Sequence, residues 1–188
     1  TATHEASAAS DGTAITTEAA ALPAMTGTVA ITGDAKFGET LTADISGLTN
    51  AGTPTYQWKR GGVDIAGATA STYVLVETDI ATVITVTVTA EATVGTGSIT
   101  SDETAAVAKA DGPAAPAAPT EASKTDTSVT LTENALNEFR VDAGAWQDSP
   151  EFTGLTAATE YTFTARVKAT ATHEASAASD GTAITTED

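Results

Sequence analysis

Ile84-Thr85-Val86-Thr87-Val88-Thr89-Ala90 and Tyr161-Thr162-Phe163-Thr164-Ala165-Arg166-Val167 are the two stretches that decide the fold class. Both alternate with a period of two, which is the signature of a strand with one buried face. Ile84, Val86, Val88 and Ala90 are expected to face one core, with Thr85, Thr87 and Thr89 toward water. Tyr161, Phe163, Ala165 and Val167 are expected to face a second core. Working outward from the first stretch, Leu41–Ile45, Tyr56-Gln57-Trp58, Val74-Leu75 and Thr96–Val107 read as further strands. Around the second, Thr127–Thr132, Glu138–Val141 and the final segment do the same. Gly47–Gly52 and Gly61-Gly62 fall between strands and mark turns. Glu133–Asn137 allows one helical turn at most. The expected fold is all-β, with two tandem antiparallel β-sandwich modules of about seven short strands each.

Composition agrees. The 188 residues include 40 Ala and 39 Thr, so small and β-favouring side chains dominate and a large aromatic core is excluded. The absence of Cys excludes disulfides, thiolate metal sites and a cysteine nucleophile. The net charge of -17, from 25 acidic and 8 basic residues, opposes nucleic acid and anionic membrane surfaces. No apolar run approaches the roughly 20 residues that span a bilayer, so membrane insertion is not expected.

An internal repeat fixes the organisation. Residues 1–18 and 170–187 both read TATHEASAASDGTAITTE, identical at all 18 positions with an offset of 170 - 1 = 169. The match ends where Ala19 faces Asp188. The reading is a tandem array with a unit of 169 residues. Residues 1–18 then form the last strand of a preceding module, 19–110 the first complete sandwich, 111–119 a linker and 120–188 the second sandwich. Pro113, Pro116 and Pro119 favour extended, semi-rigid polyproline II in that linker. The expected inter-repeat strand pairing runs through Thr1, His4, Ala6, Ala8, Ile15 and Thr17. Its partner is a neighbouring copy of the repeat, reached by chain continuity or by strand exchange between chains.

The second module resembles a fibronectin type III domain. The residues are Ala118-Pro119 at its start, the strand at 127–132, and Gly154-Leu-Thr-Ala-Ala-Thr-Glu-Tyr161-Thr-Phe163. That last stretch is similar to the family's tyrosine corner, whose hydroxyl bonds to nearby backbone. The family's second-strand Trp is missing, with Leu131 nearby instead. The first module resembles a bacterial immunoglobulin-like domain through Gly38–Ala43, Tyr56-Gln57-Trp58, Ile65–Tyr73 and Asp79-Ile80, with Trp58 in place of the buried core Trp. Alternating modules of these kinds resemble stalk repeats of bacterial cell-surface, S-layer-associated and adhesin proteins. The resemblance implies an extracellular location on a bacterial surface.

Candidate chemistry is sparse. His4-Glu5 and His173-Glu174 begin like a zinc-protease motif, but position 177 is Ala where a second His is needed. The preferred reading is a solvated strand end. Asp102-Glu103, Asp111 and Glu187-Asp188 are candidates for calcium at the joints. No Asp-x-Asp-x-Asp-Gly loop exists, and solvated charge is the preferred reading. Asp11-Gly12 and Asp180-Gly181 are turn or bulge chemistry, and Gly95-Thr96-Gly97 lacks the helix a nucleotide loop needs. Tyr56, Trp58 and Trp146 could stack on a sugar, although a core role is preferred. Lys168 and Asn137 are conceivable isopeptide partners. No catalytic, metal or cofactor-binding residue is assigned, and an enzyme is not expected. The expected function is a structural repeat that extends a stalk or filament, with an advance of about 70–80 Å per repeat from strand geometry. The alternative is an adhesive or carbohydrate-binding module with a surface glycan or protein ligand.

Overall fold

The computed structural model describes residues 20–188. Thr1, His4, Ala6, Ala8, Ile15 and Thr17, the residues expected to pair between repeats, lie outside the described residues.

The first module holds β1 (Ala30–Thr32), β2 (Thr40–Asp44), β3 (Thr55–Arg60), β4 (Val63–Asp64), β5 (Thr72–Val74), β6 (Ile84–Thr89) and β7 (Ser98–Thr100). Two antiparallel sheets, ordered β1-β2-β5 and β4-β3-β6-β7, enclose one core. The alternation on β2 is realised residue by residue: Leu41 and Ala43 are buried and Thr40, Thr42 and Asp44 exposed. Ile84, Val86 and Val88 of β6 lie fully inside with Trp58 of β3, Leu41 and Leu75. Each such side chain contributes about 1.5–3 kcal/mol by leaving water. The Trp58 indole N–H donates to Ala70 O at 2.9 Å, so the core Trp is also satisfied.

Two details of β6 differ from the alternation. Thr85, opposite Lys59 of β3, is buried and Thr87 half-buried rather than water-facing, and only Thr89 is exposed. Ala90 is only half-buried, because it lies one residue past the strand.

The second module holds β8 (Glu121–Lys124), β9 (Ser128–Leu131), β10 (Asn137–Val141), β11 (Glu151–Thr153), β12 (Glu160–Val167) and β13 (Thr182–Thr185). Its sheets are β8-β9-β11 and β10-β12-β13. The core is Val129, Leu131, Phe139, Phe152, Phe163, Ala165 and Ile184. Phe152 and Phe163 meet edge to face at 5.2 Å between centroids within this core. Six strands are named rather than seven, but Gln147 pairs with Phe139 through an isolated bridge in the place of another. Glu133–Asn137 is a turn, not a helical one: Asn134 accepts the N–H of Leu136 on its side chain and that of Asn137 on its carbonyl.

Candidate functional site: the closing strand and the joint

β12 ends its run of alternation at Val167, and one edge of it must be closed by other chain. Residues 170–187 do this. Phe139 spends its N–H and C=O on Gln147, so the facing Ala165 turns its own N–H away from β10 and toward the closing segment. There Ser179 accepts the Ala165 N–H on Oγ at 3.0 Å and returns its own N–H to Ala165 O at 2.7 Å. Ser176 repeats the arrangement on Val167, at 2.9 and 3.1 Å. Both serine side chains are buried, and each hydroxyl donates onward to the next carbonyl, of Ala177 and Asp180. Regular pairing resumes at β13, where Thr182–Thr185 face Phe163–Glu160. Ile184 enters the core. The Thr186 hydroxyl accepts the Thr159 N–H at 3.0 Å and donates to Thr156 O at 2.7 Å.

The first module closes with the same device. The Ser101 hydroxyl accepts the Val86 N–H at 3.1 Å, and the Thr104 hydroxyl accepts the Ile84 N–H at 3.0 Å. A hydroxyl pair three residues apart thus replaces a backbone carbonyl wherever the last strand leaves regular register. Sequence reading missed these residues. The available signal was Ser101-x-x-Thr104 and Ser176-x-x-Ser179, repeated as Ser7-x-x-Ser10.

The same segment makes the joint. Ala110 N–H donates to Thr172 O and Glu174 N–H to Ala110 O, both at 2.9 Å. Gly112 lies so close that a Cβ there would meet Ala175 O at 2.2 Å. From the first module, Phe37 meets the His173 ring edge to face at 5.8 Å, and Lys109 Nζ donates to Thr170 O at 2.6 Å. Lys36 Nζ pairs with Asp111 at 2.9 Å. Its hydrogen bond to Asp111, helped by that carboxylate's charge, holds the Lys36 ammonium above its ordinary range. His173 is exposed, as a solvated strand end would be, and its ring also meets Phe37 of the first module.

The other sequence candidates are placed apart. Asp102 and Glu103 line a groove beside Thr28–Ile31, while Asp111 faces Lys36. Among the described residues, no group of three or more His, Asp or Glu is arranged to hold a metal ion. The three aromatics share no sugar-stacking face. Trp58 is sealed in the first core and Tyr56 packs against it. Trp146, in the second module, lies under the guanidinium groups of Arg140 and Arg166, at 4.5 and 4.4 Å from its ring centre. Lys168 Nζ pairs with Asp148 at 3.0 Å, and its backbone, not its amine, lies beside the turn leading to Asn137. The tyrosine corner is present: Thr156 N–H donates to Tyr161 Oη at 3.0 Å.

The first module carries one buried ionic group. Asp79 is fully buried and accepts Arg60 Nε at 2.6 Å, Tyr73 Oη at 2.9 Å and Val76 N–H at 2.7 Å. Burial, then the bond to Asp79, pushes the Tyr73 phenol above its ordinary range.

A crystal structure of domains A168-A170 from titin is similar to this chain, with 16% identity and a TM-score of 0.35, over 89% of this chain and 62% of that one. The chain thus spans less than two thirds of the length of that titin chain. No protein-family model matches the chain, and no curated protein does. The β-sandwich class rests on the four sheets and two cores described above.

Proposed function

We propose that the chain is a structural repeat unit of an extracellular bacterial stalk or filament, lengthened by end-to-end stacking of β-sandwiches. One observation carries this reading. Residues 170–187 are an integral closing strand of the second module, and every side chain that anchors them recurs at 1–18. Ser7, Ser10, Thr13, Ile15 and Thr17 correspond to Ser176, Ser179, Thr182, Ile184 and Thr186. A segment with that chemistry is suited to close a sandwich of the same kind in the preceding unit. The joint supports stiffness, since backbone pairing at Ala110, the Phe37–His173 contact and the Lys36–Asp111 pair all resist bending there. Net charge of -17 would keep neighbouring stalks from clumping. The bacterial surface setting rests on the resemblance of Gly154–Phe163 to a fibronectin type III domain and of Gly38–Ala43, Tyr56–Trp58, Ile65–Tyr73 and Asp79-Ile80 to a bacterial immunoglobulin-like domain, an alternation that resembles stalk repeats. The reading assigns no catalysis and no cofactor.

The test is a chain of two consecutive units measured by small-angle scattering. The maximum dimension should grow by about 70–80 Å over one unit. A second unit that folds back beside the first, with little growth in length, would remove the stalk reading.

A further inference from the structure

We infer that the groove along β12 also accepts residues 1–18 of a separate copy of this chain, so that a unit whose opening segment closes no preceding module joins another chain by strand exchange. The inference rests on the repeat reading and deepens it by naming the partner. The argument is one of chemical identity. The groove recognises its strand through the N–H and C=O groups of Ala165 and Val167, the pocket for Ile184, and the polar groups of Thr159, Thr156 and Pro119. Every one of these meets a residue that is the same in both copies. Gly181, whose added Cβ would lie 2.5 Å from Thr162 Cγ2, recurs as Gly12, so the close approach is reproduced too. The groove therefore has no means of telling the two segments apart.

What separates them is tethering. Continuity gives the resident strand an effective concentration on the order of 1 mM, about a hundredfold advantage over a donor at roughly 10 µM. An Asp in the Ile184 pocket, which leaves that side chain 5% exposed, forfeits more than that factor.

The chain has no native Cys, which allows a disulfide test on full-length protein. The acceptor carries Ile15→Asp and Ile184→Asp, spoiling both of its own copies, with Thr162→Cys on β12. The donor is otherwise native and carries Ala14→Cys, the counterpart of Ala183, which faces Thr162. The two are mixed in urea, refolded together and oxidised. The expected product is a 1:1 disulfide-linked heterodimer joining positions 14 and 162. It should be lost when the donor also carries Ile15→Asp. It should be lost as well when the donor Cys is moved to Thr16, whose counterpart Thr185 faces Glu160 instead. If the acceptor alone does not fold its second module, unlabelled donor should restore the Trp146 indole resonance of isotope-labelled acceptor. No heterodimer, or one insensitive to Ile15 and to register, overturns the inference. The two-unit scattering result would be untouched by that failure, because continuity does not require exchange.

Discussion

Ser179→Ala isolates the device that closes the second module. The Ala165 N–H points away from β10, sits beside a side chain that is 1% exposed, and has the Ser179 hydroxyl as its acceptor. Removing that oxygen strands a buried donor, at a cost of about 1–3 kcal/mol. The other bond of the hydroxyl, to Asp180 O, lies at an exposed residue where water substitutes. Taking about 2 kcal/mol, and 4–8 °C per kcal/mol for a domain of this size, the second module's midpoint should fall by roughly 8–16 °C. Calorimetry reads the midpoints. The two indole N–H resonances assign them, since Trp58 reports the first module and Trp146 the second. Thr185→Ala, on the exposed side of the same strand, should stay within about 0.5 kcal/mol. The reasoning fails if Ser179→Ala and Thr185→Ala behave alike, or if the first module's transition moves with the second.

Asp79→Ala should destabilise the first module by about 3 kcal/mol, because it leaves Arg60, Tyr73 and Val76 N–H without their shared acceptor; urea titration followed by Trp58 fluorescence checks it. Tyr73 predicts an alkaline limit for the same module. Its folded pKa lies above the ordinary 10.0, so the fold favours the neutral phenol; that stabilisation is complete below pH 10.0 and is lost as pH rises through the folded value. Tyr73→Phe should remove this part of the pH slope, read from midpoints between pH 9 and 12. Gly112→Ala places a Cβ 2.2 Å from Ala175 O, so the joint must open while both cores stay intact. Scattering should show a broader distribution of module–module distances, with both thermal midpoints unchanged.

The cores were legible because alternation is local. Trp58, Val86 and Phe163 fall where a period of two puts them, and the tyrosine corner lies within six residues from Thr156 to Tyr161. The closing strand was legible as a repeat but not as a mechanism. Residues three apart on a regular strand face opposite sides, yet Ser176 and Ser179 are both buried. The backbone between them is therefore irregular, and alternation applied to this segment selects alanines such as Ala6 and Ala8 in the copy instead of Ser7 and Ser10. In the described copy, Ala177 is exposed and Ala175 only half-buried. Thr85 was misread because alternation assigns it to the water-facing side and nothing local in the sequence marks its burial. The Phe37–His173 contact joins residues from different modules, and nothing near either one in sequence announces the other.

Where the first and last segments of each module meet bears on how a stalk would carry load. In the first module, Ala24 pairs with Thr96 and Lys36 with Ala108, both parallel, so the beginning and end of the module run alongside each other. In the second, Thr182 donates to Pro119 O at 2.5 Å and Glu187 N–H to Thr125 O at 3.0 Å. Tension applied at the two ends of such a module passes directly between bonded terminal segments. It loads several hydrogen bonds together, and the hydrophobic cores are bypassed until those bonds break. The hydroxyl-anchored closing strand then has a reason to be polar. It has one Ile184 to bury, and the rest of its hold comes from short, directional bonds of Ser176, Ser179, Thr182 and Thr186. Hydrogen bonds of defined length and angle add to the register that burial of Ile184 sets. On the stalk reading proposed above, this strand would both close a core and pass force onward, and both tasks would depend on its register.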